Sequence, residues 1–171
     1  MKHYLEFLTL QISLDKDAPN YFEKHKEEIM RVVDLMHKKF PIKKEATLYR
    51  GLWLSPPEFK RGYCLTASYN VCSFTEDLDT AYVYANDKDL AKDLLINEPD
   101  LEGALITLKD YEESDVIFHY TWTNALGLDM FFSKNIIELI TQEREVLVIQ
   151  KKQYPVKRVK NERLLTSQST K

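Results

Sequence analysis

The sequence predicts an α+β domain, on three observations. A long amphipathic helix is expected near the start, over residues 20–40. Short β-prone runs carry the chain from residue 43 onward, and only brief helical stretches interrupt them. A length of 171 residues, 44% of them hydrophobic, suits one domain with an ordinary core. The expected layout is a helical segment over 1–42, a core over 43–161 and a flexible polar tail over 162–171.

Each element follows from local pattern. Phe22, Ile29, Val33, Met36 and Phe40 recur at helical spacing on one face, with Asn20 as the expected N-cap and Pro41 as the stop. The Lys- and Glu-rich outer face of that helix is a solvated surface. EATLYRGL (45–52) is expected to be a strand that Gly51 breaks. LSPPEFKRGY (54–63) is expected to be loop, because Pro56 and Pro57 interrupt regular structure. YCLTASYNVCSF (63–74) suggests two short strands around a turn at Ser68–Asn70. TEDLDTAYVYA (75–85) opens a helix, with Asp77 and Asp79 in the first turn, where the helix dipole favours negative charge. A second helical stretch over 87–96 ends near Pro99. GALITLKD (103–110), DVIFHY (115–120) and EREVLVIQ (143–150) are expected strands; YPVKRVK (154–160) is an edge strand because it carries Pro155. SKNIIELI (133–140) suits a short helix or a strand equally well.

Several function classes are disfavoured. A net charge of -3 argues against a general nucleic-acid binder. The apolar runs are too short for a membrane span. The start, MKHYLEFLTLQ, is interrupted by His3 and Glu6 and has no signal-peptide cleavage pattern. Cys64 and Cys72 fit neither a disulfide framework nor a metal-ligand spacing, so both are expected to be small buried thiols in a reducing, cytoplasmic setting, and no metal is expected.

Three stretches carry candidate chemistry. QEREVLV (142–148) places Glu143 and Glu145 at the head of a core strand, on one face and roughly 6.5–7 Å apart by strand rise. A solvated strand end accounts for this stretch alone. LYRGL (48–52) sets Arg50 inside an apolar strand, which is costly unless the guanidinium is paired or faces a cleft. CSFTEDLDTAYVYA (72–85) puts Ser73 and Thr75 on one strand face and Phe74 on the other, then runs into a helix carrying Tyr84. A helix cap accounts for Thr75 but leaves Ser73 unexplained.

In this order and spacing the three stretches resemble the mono-ADP-ribosyltransferases of the Arg–Ser–Glu class, over about residues 46 to 160. The matching positions are Tyr49 and Arg50, then Ser73, Phe74, Thr75 and Tyr84, then Glu143, Glu145, Val146 and Leu147. YRG, SFT and EREVLV are also similar to the phage-encoded Mod-type transferases. Phe74 is bulky for the middle of its motif, and FHYTWTNALGLDMFF (118–132) matches nothing in the family pattern.

The resemblance implies a fold of two small packed sheets with helices, and NAD as co-substrate without a metal. It implies Arg50, Ser73, Glu143 and Glu145 as catalytic residues, and Tyr49, Arg50, Gly51, Ser73, Thr75 and Tyr84 as NAD-binding residues. Glu145 would stabilise the sugar cation and Ser73 would orient it; Arg50 would hold phosphate or ribose; Tyr84 would stack near nicotinamide. Glu143 would meet the acceptor, an arginine on a target protein, in the cytoplasm of the producing cell or of a host. The rival readings are an NAD glycohydrolase, an inactive binding module of the same fold, and a glycoside hydrolase. The last needs its carboxylates on opposite sides of the sugar, which neighbours on one strand do not provide.

Overall fold

The computed structural model describes residues 1–42, 47–61, 71–109, 111–149 and 156–159. The expected turn at Ser68–Asn70, Cys64, Pro155 and the polar tail lie outside these residues. The fold is α+β, with two leading helices followed by a sheet and short helices. Helix α1 (Lys2–Ile12) is followed by α2 (Ala18–Lys39). The latter starts earlier than the pattern suggests, with Pro19 in its first turn and Asp17, not Asn20, at the N-cap position. Proline suits that place because its missing N–H has no intrahelical partner there. Phe22, Ile29, Val33 and Met36 are buried as expected, whereas Phe40 lies beyond the helix and is exposed.

The sheet contains strands β1 (Leu48–Leu54), β2 (Val71–Thr75), β3 (Glu102–Leu108), β4 (Val116–His119), β5 (Glu145–Ile149) and β6 (Val156–Arg158). Their spatial order is β4-β5-β2-β1-β3-β6, and all neighbouring pairs are antiparallel. One six-stranded sheet therefore replaces the expected pair of packed sheets. Among the described residues β1 meets β2 only at Tyr49↔Thr75, whereas β2 and β5 pair along five positions. Strand β6 is an edge, as expected.

Strand alternation divides the sheet into two faces. Leu48, Cys72, Phe74, Ile106, Val146 and Val148 form the apolar core of one face. The other face carries Tyr49, Gly51, Ser73, Thr75, Gly103, Glu145 and Leu147, as the registers dictate. Leu147 and Val71 pack there with Phe7 and Leu8 of α1 and Phe22 and Ile29 of α2. Tyr4 ties that helical layer to the sheet by donating its hydroxyl to the carbonyl of Ile117 at 2.7 Å.

Among the described residues, four short α-helices and three 3-10 turns complete the fold. LSPPEFKR is not plain loop: α3 (Pro56–Arg61) starts at the two prolines. Proline pre-sets the helical φ in a first turn, and Glu58 caps the start, its Oε2 accepting from the Ser55 N–H at 2.7 Å and from the Ser55 hydroxyl at 2.8 Å. Helix α4 (Leu78–Asn86) is capped by Asp77, which accepts from the Asp79 N–H at 3.2 Å; Thr75 instead accepts from the Asp77 N–H at 2.9 Å. Helix α5 (Lys92–Asn97) is shorter than the expected 87–96 stretch, because 88–91 form turns. Residues Lys134–Gln142 resolve as a helix, α6, since the buried Ile140 follows Ile136 and Ile137 at helical spacing.

Gly51 does not break β1. It lies inside the strand, where a Cβ would stand 1.9 Å from the carbonyl oxygen of Ala81. Gly103 makes the same approach to Ala85, again at 1.9 Å. These two glycines and two buried alanines let α4 settle on β1 and β3. Gly51→Ala should therefore lower unfolding free energy by about 1–3 kcal/mol, the usual cost of overpacking against a part that must shift. Urea denaturation measures it; wild-type stability in this variant would mean α4 is not seated on β1.

Candidate functional site

Ser73 and Glu145 meet across the β2–β5 pair. The register pairs Thr75 with Glu145 and Ser73 with Leu147, so the Ser73–Glu145 contact is diagonal on one face. Ser73 Oγ donates to Glu145 Oε1 at 2.9 Å. Burial pushes the Glu145 carboxyl above the usual carboxylate range; the Ser73 hydrogen bond pulls it down, and the nearby charge of Glu143 raises it. The Ser73–Glu145 hydrogen bond is the contact that the resemblance implies.

Glu143 arrives by a different route from the one alternation suggests. It is not a strand residue but sits at the C-cap position of α6, and β5 begins at Glu145. Arg144 between them has φ 49°, the left-handed conformation that commonly ends a helix. The turn is pinned from below by Thr75, whose hydroxyl donates to the Glu143 carbonyl at 2.5 Å. The Glu143 carboxylate is held by Tyr84 of α4, which donates its hydroxyl to Oε1 at 2.6 Å. Burial first, then Glu143 and Glu145, raises the Tyr84 phenol above its ordinary range, so it remains a donor. Trp53 of β1 donates its indole N–H to the Tyr84 carbonyl at 2.9 Å and braces that end of α4.

Arg50 joins the site through the backbone. It pairs with Ile106, so its side chain starts on the face of Phe74 and Cys72, opposite the Ser73 hydroxyl. Its Nη1 donates to the Ser73 carbonyl at 3.1 Å, next to the Tyr49↔Thr75 pair. The guanidinium also counteracts the burial that pushes the Cys72 thiol up. Tyr49 shares a face with Thr75, but Gly51 turns its Cα toward α4, so its close contact is helix backbone.

The structure thus brings these residues together in two hydrogen-bonded sets, Ser73 with Glu145 and, through the Ser73 carbonyl, Arg50, and Glu143 with Thr75 and Tyr84. It also adds residues that the sequence does not single out. Glu76 follows β2 directly, and its carboxylate meets His119 Nε2 at 3.1 Å and the Tyr120 hydroxyl at 3.2 Å. The Thr121 N–H points at His119 Nδ1, which therefore accepts, so Nε2 is the nitrogen that donates to Glu76. Burial lowers the His119 pKa and favours this neutral tautomer. His119 and Tyr120 lie in the 118–132 segment, and only the through-space contact with Glu76 reveals them.

Chemically, the arrangement sets two half-buried carboxylates near one another, one on the sheet and one at a helix end, a pair that could face positive charge. No family model matches the chain, and no curated protein or solved structure matches it.

Two outcomes follow for Glu145. Ser73→Ala removes the hydrogen bond that lowers its pKa, so its titration midpoint, followed by carbon NMR, should move further up; a downward move would contradict the contact. Glu145→Gln should stabilise the fold at neutral pH. The folded-state pKa is raised, so the wild type is most stable below the unfolded carboxylate pKa and loses that advantage as pH rises through the folded value. The gain from Gln should therefore appear on raising the pH and vanish in acid, as read from melting temperatures across the range.

Proposed function

We propose that this chain is an NAD-dependent mono-ADP-ribosyltransferase that moves ADP-ribose from NAD to an arginine of a target protein and releases nicotinamide. The observation that supports this most is the Ser73–Glu145 hydrogen bond at 2.9 Å, with Glu143 two residues earlier at the end of α6. The order Arg, Ser, Glu-x-Glu resembles that transferase class, and the α+β chain would be a variant of its fold.

Glu145 is suited to the work. Cleaving the bond between the sugar carbon and nicotinamide leaves positive charge on the sugar while the bonding electron pair departs with nicotinamide. A fixed carboxylate stabilises that charge more than the ground state, which is the condition for catalysis. Ser73 keeps the carboxylate in place, and Arg50 holds the Ser73 backbone while offering its remaining donors to phosphate or ribose. Glu143 is placed to hold an incoming guanidinium through two hydrogen bonds and to take its proton as the new carbon–nitrogen bond forms. Thr75 fixes the backbone of that residue.

A second reading is NAD hydrolysis, with water as the acceptor. It is favoured by the Tyr84–Glu143 contact, which occupies the carboxylate meant for the guanidinium. Hydrolysis needs Glu145 and Ser73 but not Glu143.

The test is incubation of the full chain with labelled NAD and cell lysate, measuring nicotinamide release and protein labelling together. Glu145→Gln should lower both by about 10²–10³-fold, the usual worth of one well-placed electrostatic group. Near-normal turnover in this variant would remove Glu145 from the chemistry. Glu143→Gln should abolish labelling and leave nicotinamide release largely intact. If labelling persists, the acceptor is not arginine; if both activities fall together, Glu143 serves the NAD site itself.

A further inference from the structure

We propose that Glu76, His119 and Tyr120 are positioning residues for Glu145, a bridge behind the sheet that keeps the first residue of β5 against Ser73. The role rests on the transferase reading of Glu145 given above. Glu145 opens β5, which lies between β4 and β2. On the β2 side it is paired with Thr75. On the β4 side the ladder stops one residue short, at His119↔Val146. Among the described residues, the backbone of Glu145 therefore has a strand partner on one side only.

A side-chain bridge closes the open side. Glu76 follows the last residue of β2, and His119 is the last residue of β4. These strands stand two places apart in the sheet, roughly 9.5 Å by strand spacing. A glutamate and a histidine meeting end to end cover that distance. The Glu76 carboxylate meets His119 Nε2 at 3.1 Å and accepts from the Tyr120 hydroxyl at 3.2 Å. His119 shares the face of Val146, so the bridge passes behind β5, on the reverse of the face that carries the Ser73 and Glu145 side chains.

The bridge is held at both ends. His119 is buried and the Glu76 side chain is only 17% exposed, so water competes little for the contact. Thr121 holds the other ring nitrogen of His119 through its N–H and its hydroxyl. The His119 and Tyr120 rings stack at 4.6 Å between centroids. At the other end, Glu76 sits between Thr75, whose hydroxyl holds the Glu143 carbonyl, and Asp77, which caps α4. Fixing Glu76 thus fixes the corner from which both carboxylates are supported. An apolar pair would fill the same place at a lower desolvation cost, but it would not set the two strand ends at one separation. Ser73 orients Glu145 from the front, and the bridge locks the flanking strands from behind.

The experiment uses the full chain with His119→Phe and Tyr120→Phe. Each removes one hydrogen bond of the bridge without changing charge, since burial lowers the His119 pKa and keeps the ring neutral. The readouts are the Glu145 titration midpoint by carbon NMR, kcat and KM for nicotinamide release from NAD, and melting temperature. Each variant should move the Glu145 midpoint up, the direction expected for Ser73→Ala. Each should also lower kcat at least about tenfold with KM little changed, because a displaced carboxylate loses transition-state stabilisation. His119→Gln, whose amide can donate where Nε2 does, should restore both readouts toward wild type. A fall in melting temperature with the midpoint or kcat unmoved would leave the bridge a structural brace and overturn the proposal. Failure of His119→Gln to restore them would assign the loss to packing and overturn it equally. Tyr120→Phe decides the matter if His119→Phe does not fold. If the wild type releases no nicotinamide, the transferase reading fails separately, and the midpoint alone decides the bridge.

Discussion

A carboxylate set on the face of a sheet must find a donor or stay protonated, and Glu145 meets that constraint through one hydroxyl. The Ser73 hydrogen bond works only because β2 and β5 are paired in a register that puts both side chains on one face. A one-residue slip would send Ser73 into the apolar face now held by Phe74 and Cys72. The same register brings Thr75 under the Glu143 carbonyl. Strand pairing, apolar burial on the far face and polar contact on the near face therefore enforce one another. Arg50 adds a further tie, because its guanidinium grips the Ser73 carbonyl where β1 and β2 meet.

The near face of the sheet is covered from two sides. Helix α4 sits on β1 and β3 because Gly51 and Gly103 remove the Cβ atoms that would hold it away. Helices α1 and α2 share an apolar cluster with Leu147 of β5 and Ile117 and Phe118 of β4. The central strand β2 lies between these covers, and its outward residues Ser73 and Thr75 face polar partners instead of a helix. A polar site at this place follows from where the two helical layers end. Its two walls come from different parts of the chain, Tyr84 on α4 and Glu143 after α6, and the Tyr84–Glu143 hydrogen bond spans them.

Much of this was legible where a residue's role depends on strand alternation alone. Ser73 opposite Phe74, Glu145 above Leu147, and the buried face of α2 all follow from period 2 or 3.6. Legibility failed where two elements meet. SKNIIELI suits either element by pattern, and its extension to Gln142 carries Glu143 out of the strand. The prolines of SPPE suggest a break, yet in a first turn, with the Glu58 carboxylate accepting from Ser55, they begin a helix. Gly51 looked like a break because the helix backbone it admits is thirty residues away in the chain. The two expected sheets became one because β1 and β2 join, a pairing that composition cannot reveal. His119 and Glu76 are likewise adjacent only in space.

The change of element at Glu143 alters the chemistry of the carboxylate pair. Alternate residues of one strand would share an environment and repel each other at fixed separation. Here a left-handed Arg144 separates them, so Glu143 belongs to a helix end and Glu145 to the sheet. Burial acts on Glu145 and raises its pKa, with Glu143 adding to the rise as a neighbouring charge. Glu143 has the Tyr84 hydroxyl as a neutral partner. One carboxylate is thus tied to the sheet, and the other stands at a turn. The left-handed residue between them, unusual for arginine, keeps the two environments distinct over a single intervening residue.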